Sequence, residues 1–150
     1  MKELLSRASA AQAIRILVIE DHADSRDSLR MLLELQGHHV HAAPDGEQGL
    51  ALAHAHPLDV ALIDIGLPGM DGCEVARRIR AGVFNRAIKL IAITGYGQAE
   101  DRRRSKEAGF DQHVTKPFNS SELVDLLASL QEVARARPGS ASCVEGGHQP

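Results

Sequence analysis

Apolar residues in this chain fall into short dense runs, and the stretches between them carry helical spacing. Ile14–Ile19, Leu58–Ile63 and Ile88–Ile93 are apolar over most of their length, the pattern of strands covered on both faces. Val40–Ala43 is poorer, with His38, His39 and His41 around Val40, and reads as an edge strand. Gln112–Val114 is the last strand candidate. Between them, Leu29, Leu32 and Leu33 form an i, i+3, i+4 stripe, with Gly37 placed to stop the helix. Asp45 with Gln48 predicts a capped helix through Leu50; Asp71 with Glu74 predicts another before Val75 and Ile79. Asn119 with Glu122 repeats that spacing before Leu123, Leu126, Leu127 and Leu130. Gln98–Ala108 is mostly charged and small residues, and is expected to be the least firmly packed helix. Strand and helix alternate, so the chain predicts right-handed βαβ units and an open, doubly wound parallel sheet.

Length and composition fit one domain with a true core: 150 residues, 43% hydrophobic and 25% charged. The expected organisation is a lead-in over 1–13, the folded domain over 14–132 and a mobile tail over 133–150, rich in Gly, Ser and Pro. A formal charge of −3 gives no general attraction to nucleic acid or to anionic membrane. No apolar stretch has the length of a bilayer span, and Met1 to Ala13 lacks a signal-peptide core. Cys73 and Cys143 have no metal spacing and form no framework, which points to a reducing cytoplasm.

The chemistry lies where the apolar runs end. The first strand leads into Glu20-Asp21, the third into Asp64, the fourth into Thr94-Gly95 and the fifth into Lys116-Pro117. Open α/β sheets bind ligands beyond the carboxyl ends of their strands, so these sequence-distant residues are expected to meet. Three carboxylates in one place repel one another unless a cation compensates. Oxygen donors suit Mg²⁺, which keeps several waters and takes few carboxylates. Lys116 and the Thr94 hydroxyl add a positive charge and a hydrogen-bonding group, enough for phosphoryl transfer, which is mostly positioning and charge neutralisation. Asp64 would then be the nucleophile, forming an acyl phosphate.

Glu20-Asp21, Asp64 followed by Pro68 and Gly72, Thr94-Gly95 and Lys116-Pro117-Phe118, in that order at strand ends, make the segment from about Ile14 to Leu130 resemble the receiver domain of two-component response regulators. The wording from Asp64 to Gly69 and the residue at 113 resemble receivers attached to hybrid histidine kinases. The resemblance implies a flavodoxin-like (βα)5 fold with strand order 2-1-3-4-5. It implies that Asp64 accepts phosphoryl from a histidine kinase or a phosphotransfer-protein phosphohistidine, with self-phosphorylation and autodephosphorylation as the domain's own chemistry. It implies Mg²⁺ on Asp21, Asp64 and the Gly66 carbonyl, with Glu20 acting through water, and Thr94 and Lys116 on the phosphoryl oxygens. It implies a cis Lys116–Pro117 peptide and a downstream protein partner on the face of helix 98–108, strand 112–114 and helix 119–130.

One position departs from the family pattern. Where the family often has Tyr or Phe, three residues before the lysine, this chain has His113, and the usual aromatic switch is open to question. A packed ring is the ordinary expectation for it; Tyr96 is the other candidate to shape access to the site. Arg102-Arg103-Arg104 reads as a solvated helix face, the edge histidines as structural, and Cys73 as a small helix residue. Two other classes compete. A pseudo-receiver that binds without phosphorylation would normally lose part of the acidic or lysine set, and this chain retains it. A flavodoxin-like redox protein needs a hydroxyl- and glycine-rich loop after its first strand, where this chain has Glu20-Asp21-His22-Ala23-Asp24.

Overall fold

The computed structural model describes residues 13–82, 88–95, 99–116, 119 and 121–128. The chain divides into two units, residues 1–117 and 118–150. The first unit contains β1 (Arg15–Ile19), α1 (Ala23–Leu35), β2 (His39–Ala43), α2 (Gly46–Ala55), β3 (Val60–Asp64), α3 (Gly72–Ala81), β4 (Lys89–Thr94), α4 (Ala99–Ala108) and β5 (Gln112–Thr115). The strands form one parallel sheet in the order β2-β1-β3-β4-β5. In the second unit residues 121–128 are helical, with Leu123 and Leu127 buried.

Alternate residues of the inner strands point to opposite faces, and both sets are buried. Leu17, Ile19, Ala61, Ile63, Leu90 and Ala92 share a cluster with Ala53 of α2 and Val75, Ala76 and Ile79 of α3. Ile16, Val18, Leu62, Ile91 and Ile93, one residue out of phase, are equally inaccessible. That double coverage is why these strands read as near-continuous apolar runs.

The predicted punctuation forms as hydrogen bonds. Asp45 accepts from the Gln48 N–H at 2.8 Å, Asp71 from the Glu74 N–H at 3.0 Å, and Asn119 from the Glu122 N–H at 2.8 Å. Glu122 returns the last bond, accepting the Asn119 N–H at 3.1 Å in a reciprocal capping box. Gly37 closes α1 at a φ of 95°, where a Cβ would be strained, and the His38 N–H reaches back to the Leu33 carbonyl. His38 itself is buried and accepts the Ile14 N–H on Nδ1 at 3.1 Å, with burial pushing its pKa down, while His41 stacks on His56 at 4.0 Å. His38 and His41 thus have structural contacts at this edge.

The observed strands shift by a residue or two at their ends, and the shift matters for the site. Asp64 and Thr94 are the final residues of β3 and β4 rather than the first residues of the following loops. Asp64 is in register with Ile93, and the next N–H, of Ile65, still donates to the Ile93 carbonyl at 3.0 Å. The sheet hydrogen bonds therefore continue through Asp64.

At the far ends of β4 and β5, Arg80 of α3 donates to the carbonyls of Gly109 and Ile88 and to Asp111, at 3.0, 2.8 and 2.7 Å. Asp111 also accepts the Leu90 N–H at 2.9 Å. The clamp fixes the start of both strands that deliver Thr94 and Lys116. The Gln98–Ala108 prediction matches α4 from Ala99, and its buried positions among the described side chains are only Ser105 and Ala108, both small. The lead-in, the tail, Cys143, Tyr96 and the Lys116–Pro117 peptide lie outside the described residues.

Gly72 is where α3 meets the end of β3. A Cβ there would sit against the Asp64 carbonyl and 2.8 Å from Ile65 Cα, and neither backbone atom can move without the sheet. Gly72→Ala should therefore lower stability by about 1–3 kcal/mol in urea unfolding. Gly95→Ala, whose Cβ would meet nothing within 4 Å among the described residues, should stay within about 0.5 kcal/mol. Equal losses would show that the close approach is not the constraint.

Candidate functional site at the carboxyl ends of the strands

Glu20 follows β1 and is almost wholly buried, at 1% exposure, although it carries a carboxylate. Three groups hold it there. The His22 N–H donates to Oε2 at 3.1 Å, the His22 Nδ1 lies 3.3 Å from the same oxygen, and Lys116 Nζ donates to Oε1 at 3.0 Å. Arg26, one turn into α1, donates to the Glu20 carbonyl at 3.0 Å. Asp64 Oδ1 accepts the Gly66 N–H at 2.9 Å, which turns the chain out of β3, and Oδ2 accepts from Lys116 Nζ at 3.3 Å. One ammonium thus joins two carboxylates 96 and 52 residues away in sequence.

Thr94 is buried, and its hydroxyl donates to the Val114 carbonyl at 3.3 Å. The Lys116 N–H donates to the Thr94 carbonyl at 2.7 Å, so β4 and β5 leave the sheet together. Asp64, Thr94 and Lys116 line one open cleft of about 410 Å³, with Gly66, Asp71 and Arg104. Glu20, Asp21, Asp64, Gly66, Thr94 and Lys116 all stand at this end of the sheet, as the strand-end reading expected. The donor atoms of Glu20, Asp21 and His22 lie within 4.8 Å of one another, and oxygen donors of this kind suit a divalent cation.

Residues 16–128 match the family model for the response regulator receiver domain. The chain belongs to that family. A Leptolyngbya boryana protein of 14.6 kDa is 36% identical over 112 residues, which are 75% of this chain and 86% of that protein. The virulence sensor protein BvgS of Bordetella bronchiseptica is 37% identical over 143 residues, 87% of this chain but 11% of the sensor. The two-component response regulator PhoP of Pseudomonas aeruginosa is 37% identical over 117 residues, 78% of this chain and 51% of the regulator. The chain thus spans about a tenth of one relative and about half of another.

Among solved structures, a CheY-like receiver domain protein from Methanospirillum hungatei superposes with a TM-score of 0.75, at 30% identity, over 81% of this chain and 95% of that one. The receiver domain of a Pseudomonas aeruginosa sensor histidine kinase, with magnesium coordinated in its active site cleft, gives 0.74 at 30% identity over 81% and 99%. The fold is the flavodoxin-like one expected, in the order 2-1-3-4-5. As a receiver domain of two-component systems, it belongs to the proteins that take phosphoryl groups on aspartate with Mg²⁺. Among the described residues no helix is long and apolar enough to cross a membrane.

The structure corrects or extends the sequence reading at four residues of this receiver. His113 is exposed, on the outer strand β5 of the sheet, and not the buried ring expected. Arg104 is more than a solvated residue: it reaches across the cleft to Asp71 at 3.3 Å. His22 passed unremarked between the acid pair and α1, although its position directly after two carboxylates was the available signal. Arg26 went unremarked too; its bond is to a backbone carbonyl, which no side-chain pattern announces.

The carboxylates carry opposite electrostatic burdens. Burial pushes the Glu20 pKa up, but the His22 N–H and Lys116 outweigh it and hold the group below its ordinary value of 4.5. For Asp64, burial prevails, aided by the charge of Glu20, and holds the group above its ordinary 3.8 despite Gly66 and Lys116. Burial also disfavours the Lys116 ammonium, but Glu20 and Asp64 more than offset it and raise its pKa.

These directions set opposite signs for stability. The ionised Glu20 favours the fold above the ordinary carboxylate value, and that contribution is lost as pH falls through its lowered pKa. The ionised Asp64 disfavours the fold above its raised pKa, and that cost vanishes as pH falls below the ordinary value. In metal-free buffer at pH 7, Asp64→Asn should therefore unfold at higher urea than the wild type and Glu20→Gln at lower. Both differences should shrink as pH is lowered toward 3. A destabilised Asp64→Asn at neutral pH would contradict the assignment.

Proposed function

We propose that Asp64 is the phosphoacceptor of this receiver and that Lys116 and Thr94 carry the phosphoryl oxygens. The observation that carries the reading is the Lys116 ammonium poised between Glu20 and Asp64, in a cleft that Thr94 also lines. An Asp64 oxygen attacks the phosphorus of a phosphohistidine on the donor protein. The P–O bond forms as the P–N bond breaks, and the leaving imidazole keeps the electron pair and takes a proton. Burial helps here, because a carboxylate whose charge is disfavoured is a better nucleophile than a fully solvated one. When bound, a divalent cation neutralises charge on the carboxylates and the phosphoryl oxygens. Asp21, Asp64 and the Gly66 carbonyl are the groups to hold it, with Glu20 acting through water.

The acyl phosphate adds negative charge next to Lys116, whose bond to Asp64 it can take over. The Thr94 hydroxyl must give up the Val114 carbonyl to reach the phosphoryl group. That exchange, at the boundary of β4 and β5, is the switch. It bears on α4, where small residues provide the buried contacts, and on exposed His113. Arg104 couples the same helix to Asp71 at the cap of α3. The output face proposed for a downstream protein includes α4 and β5. The donor is a sensor histidine kinase or a histidine phosphotransfer protein, in the cytoplasm, and the receiver proper extends over residues 14–132.

Incubation with Mg²⁺ and acetyl phosphate, followed by intact-mass measurement, should add one acid-labile phosphoryl group to the wild type and none to Asp64→Asn. Labelling of Asp64→Asn to the wild-type level would refute Asp64 as the acceptor. Chelation of the metal should abolish the labelling.

A further inference from the structure

In the cluster of Glu20, Asp21 and His22, whose donor atoms lie within 4.8 Å of one another, His22 offers the nitrogen. It occupies the N-cap of α1, where Ser, Thr, Asp or Asn would turn a side-chain oxygen onto the helix, yet its side chain makes no capping bond. The ring turns the other way. Nδ1 lies 3.3 Å from Glu20 Oε2 and 3.5 Å from Asp21 Oδ1. The backbone fixes this placement, since the His22 N–H donates to Glu20 Oε2 and closes a tight loop over the carboxylate. The His22 side chain is 72% exposed and Asp21 30%, so an ion can approach both from water.

Donors about 2.1 Å from one ion, at neighbouring positions around it, stand about 3.0–3.4 Å apart. Nδ1 stands from Glu20 Oε2 at the spacing of two donors on one ion, and at 3.5 Å from Asp21 Oδ1 it is just beyond that range. Nδ1 is turned toward the two carboxylates, and in the tautomer with the proton on Nε2 it presents a lone pair there. Mg²⁺ has little use for that lone pair, because it prefers oxygen donors and retains its waters. Imidazole suits first-row transition ions, and their affinity for mixed nitrogen and oxygen sites exceeds that for oxygen alone.

We infer that His22 is a nitrogen ligand in the cation site of this receiver and shifts its selectivity from Mg²⁺ toward Mn²⁺ and Co²⁺. The inference rests on the reading that Asp21 holds the activating cation. Lys116, bound to the other oxygen of Glu20, leaves Oε2 facing His22. The cation, held by Asp21 and reaching Glu20 through water, thus faces a carboxylate whose far oxygen is already neutralised.

The test uses the full chain, stripped of metal, and three forms: wild type, His22→Ser and Asp21→Ala. Serine is a favoured N-cap, so His22→Ser removes the imidazole and keeps α1 capped. Calorimetric titration should show Co²⁺ binding weakened at least about tenfold in His22→Ser, with Mg²⁺ binding changed less than about twofold. Pulsed electron paramagnetic resonance of the Mn²⁺-loaded wild type should show nitrogen modulation, absent from His22→Ser. Asp21→Ala should lose the site for both ions and expose any background binding by other histidines. Unchanged Co²⁺ affinity in His22→Ser, or no nitrogen modulation in the wild type, overturns the inference while Mg²⁺ binding through Asp21 still stands. If Asp21→Ala binds both ions as the wild type does, the cation reading fails, and the role of His22 fails with it.

Discussion

Lys116 Nζ lies 3.0 Å from Glu20 and 3.3 Å from Asp64, and the site depends on that shared ammonium. A carboxylate as buried as Glu20 is costly without partners, and removing one member of such a pair leaves the other charge uncompensated. One lysine cannot satisfy both acids fully. Glu20, with the His22 N–H as well, is favoured in its ionised form; Asp64, with less help, is not. The inequality leaves Asp64 with charge in need of a partner, which a cation can supply.

Topology makes the lysine available. Parallel strands place all their carboxyl ends on one side, so β1, β3, β4 and β5 deliver Glu20, Asp64, Thr94 and Lys116 to one region from four separate stretches of chain. The sheet is continuously hydrogen-bonded up to that point, with the ladders running through Asp64 and Thr94. Beyond it lie turns and helix starts, and Gly72 lets α3 approach the Asp64 carbonyl closely. A hydrogen-bonded base and adjustable groups at the rim are what a switch requires: Thr94 has a hydrogen bond to exchange, and Arg104 spans the cleft to Asp71.

Much of this was legible in the sequence because it follows from local rules. Buried parallel strands show as apolar runs; the cap pairs Asp45–Gln48, Asp71–Glu74 and Asn119–Glu122 act within three residues. The site residues were legible for a related reason, since polar groups closing apolar runs must converge in a parallel sheet. What escaped depends on tertiary geometry. The Arg80 clamp joins α3 to the starts of β4 and β5 across up to 31 residues, and nothing in the spacing of Arg80 and Asp111 announces it. Arg104 lies in a run of three arginines, and only the path of α4 selects the one that reaches Asp71. His113 was misjudged because burial of a strand residue depends on what covers the strand, and β5 is an edge.

The central claim is the division of one ammonium between two unlike carboxylates, and carbon-detected NMR titration of the Glu20 and Asp64 carboxyl groups in metal-free buffer tests it directly. The account predicts that Asp64 titrates above its ordinary value and Glu20 below its own. In Lys116→Met both should move upward. Asp64 titrating at or below its ordinary value, or either group indifferent to the loss of Lys116, would contradict the account.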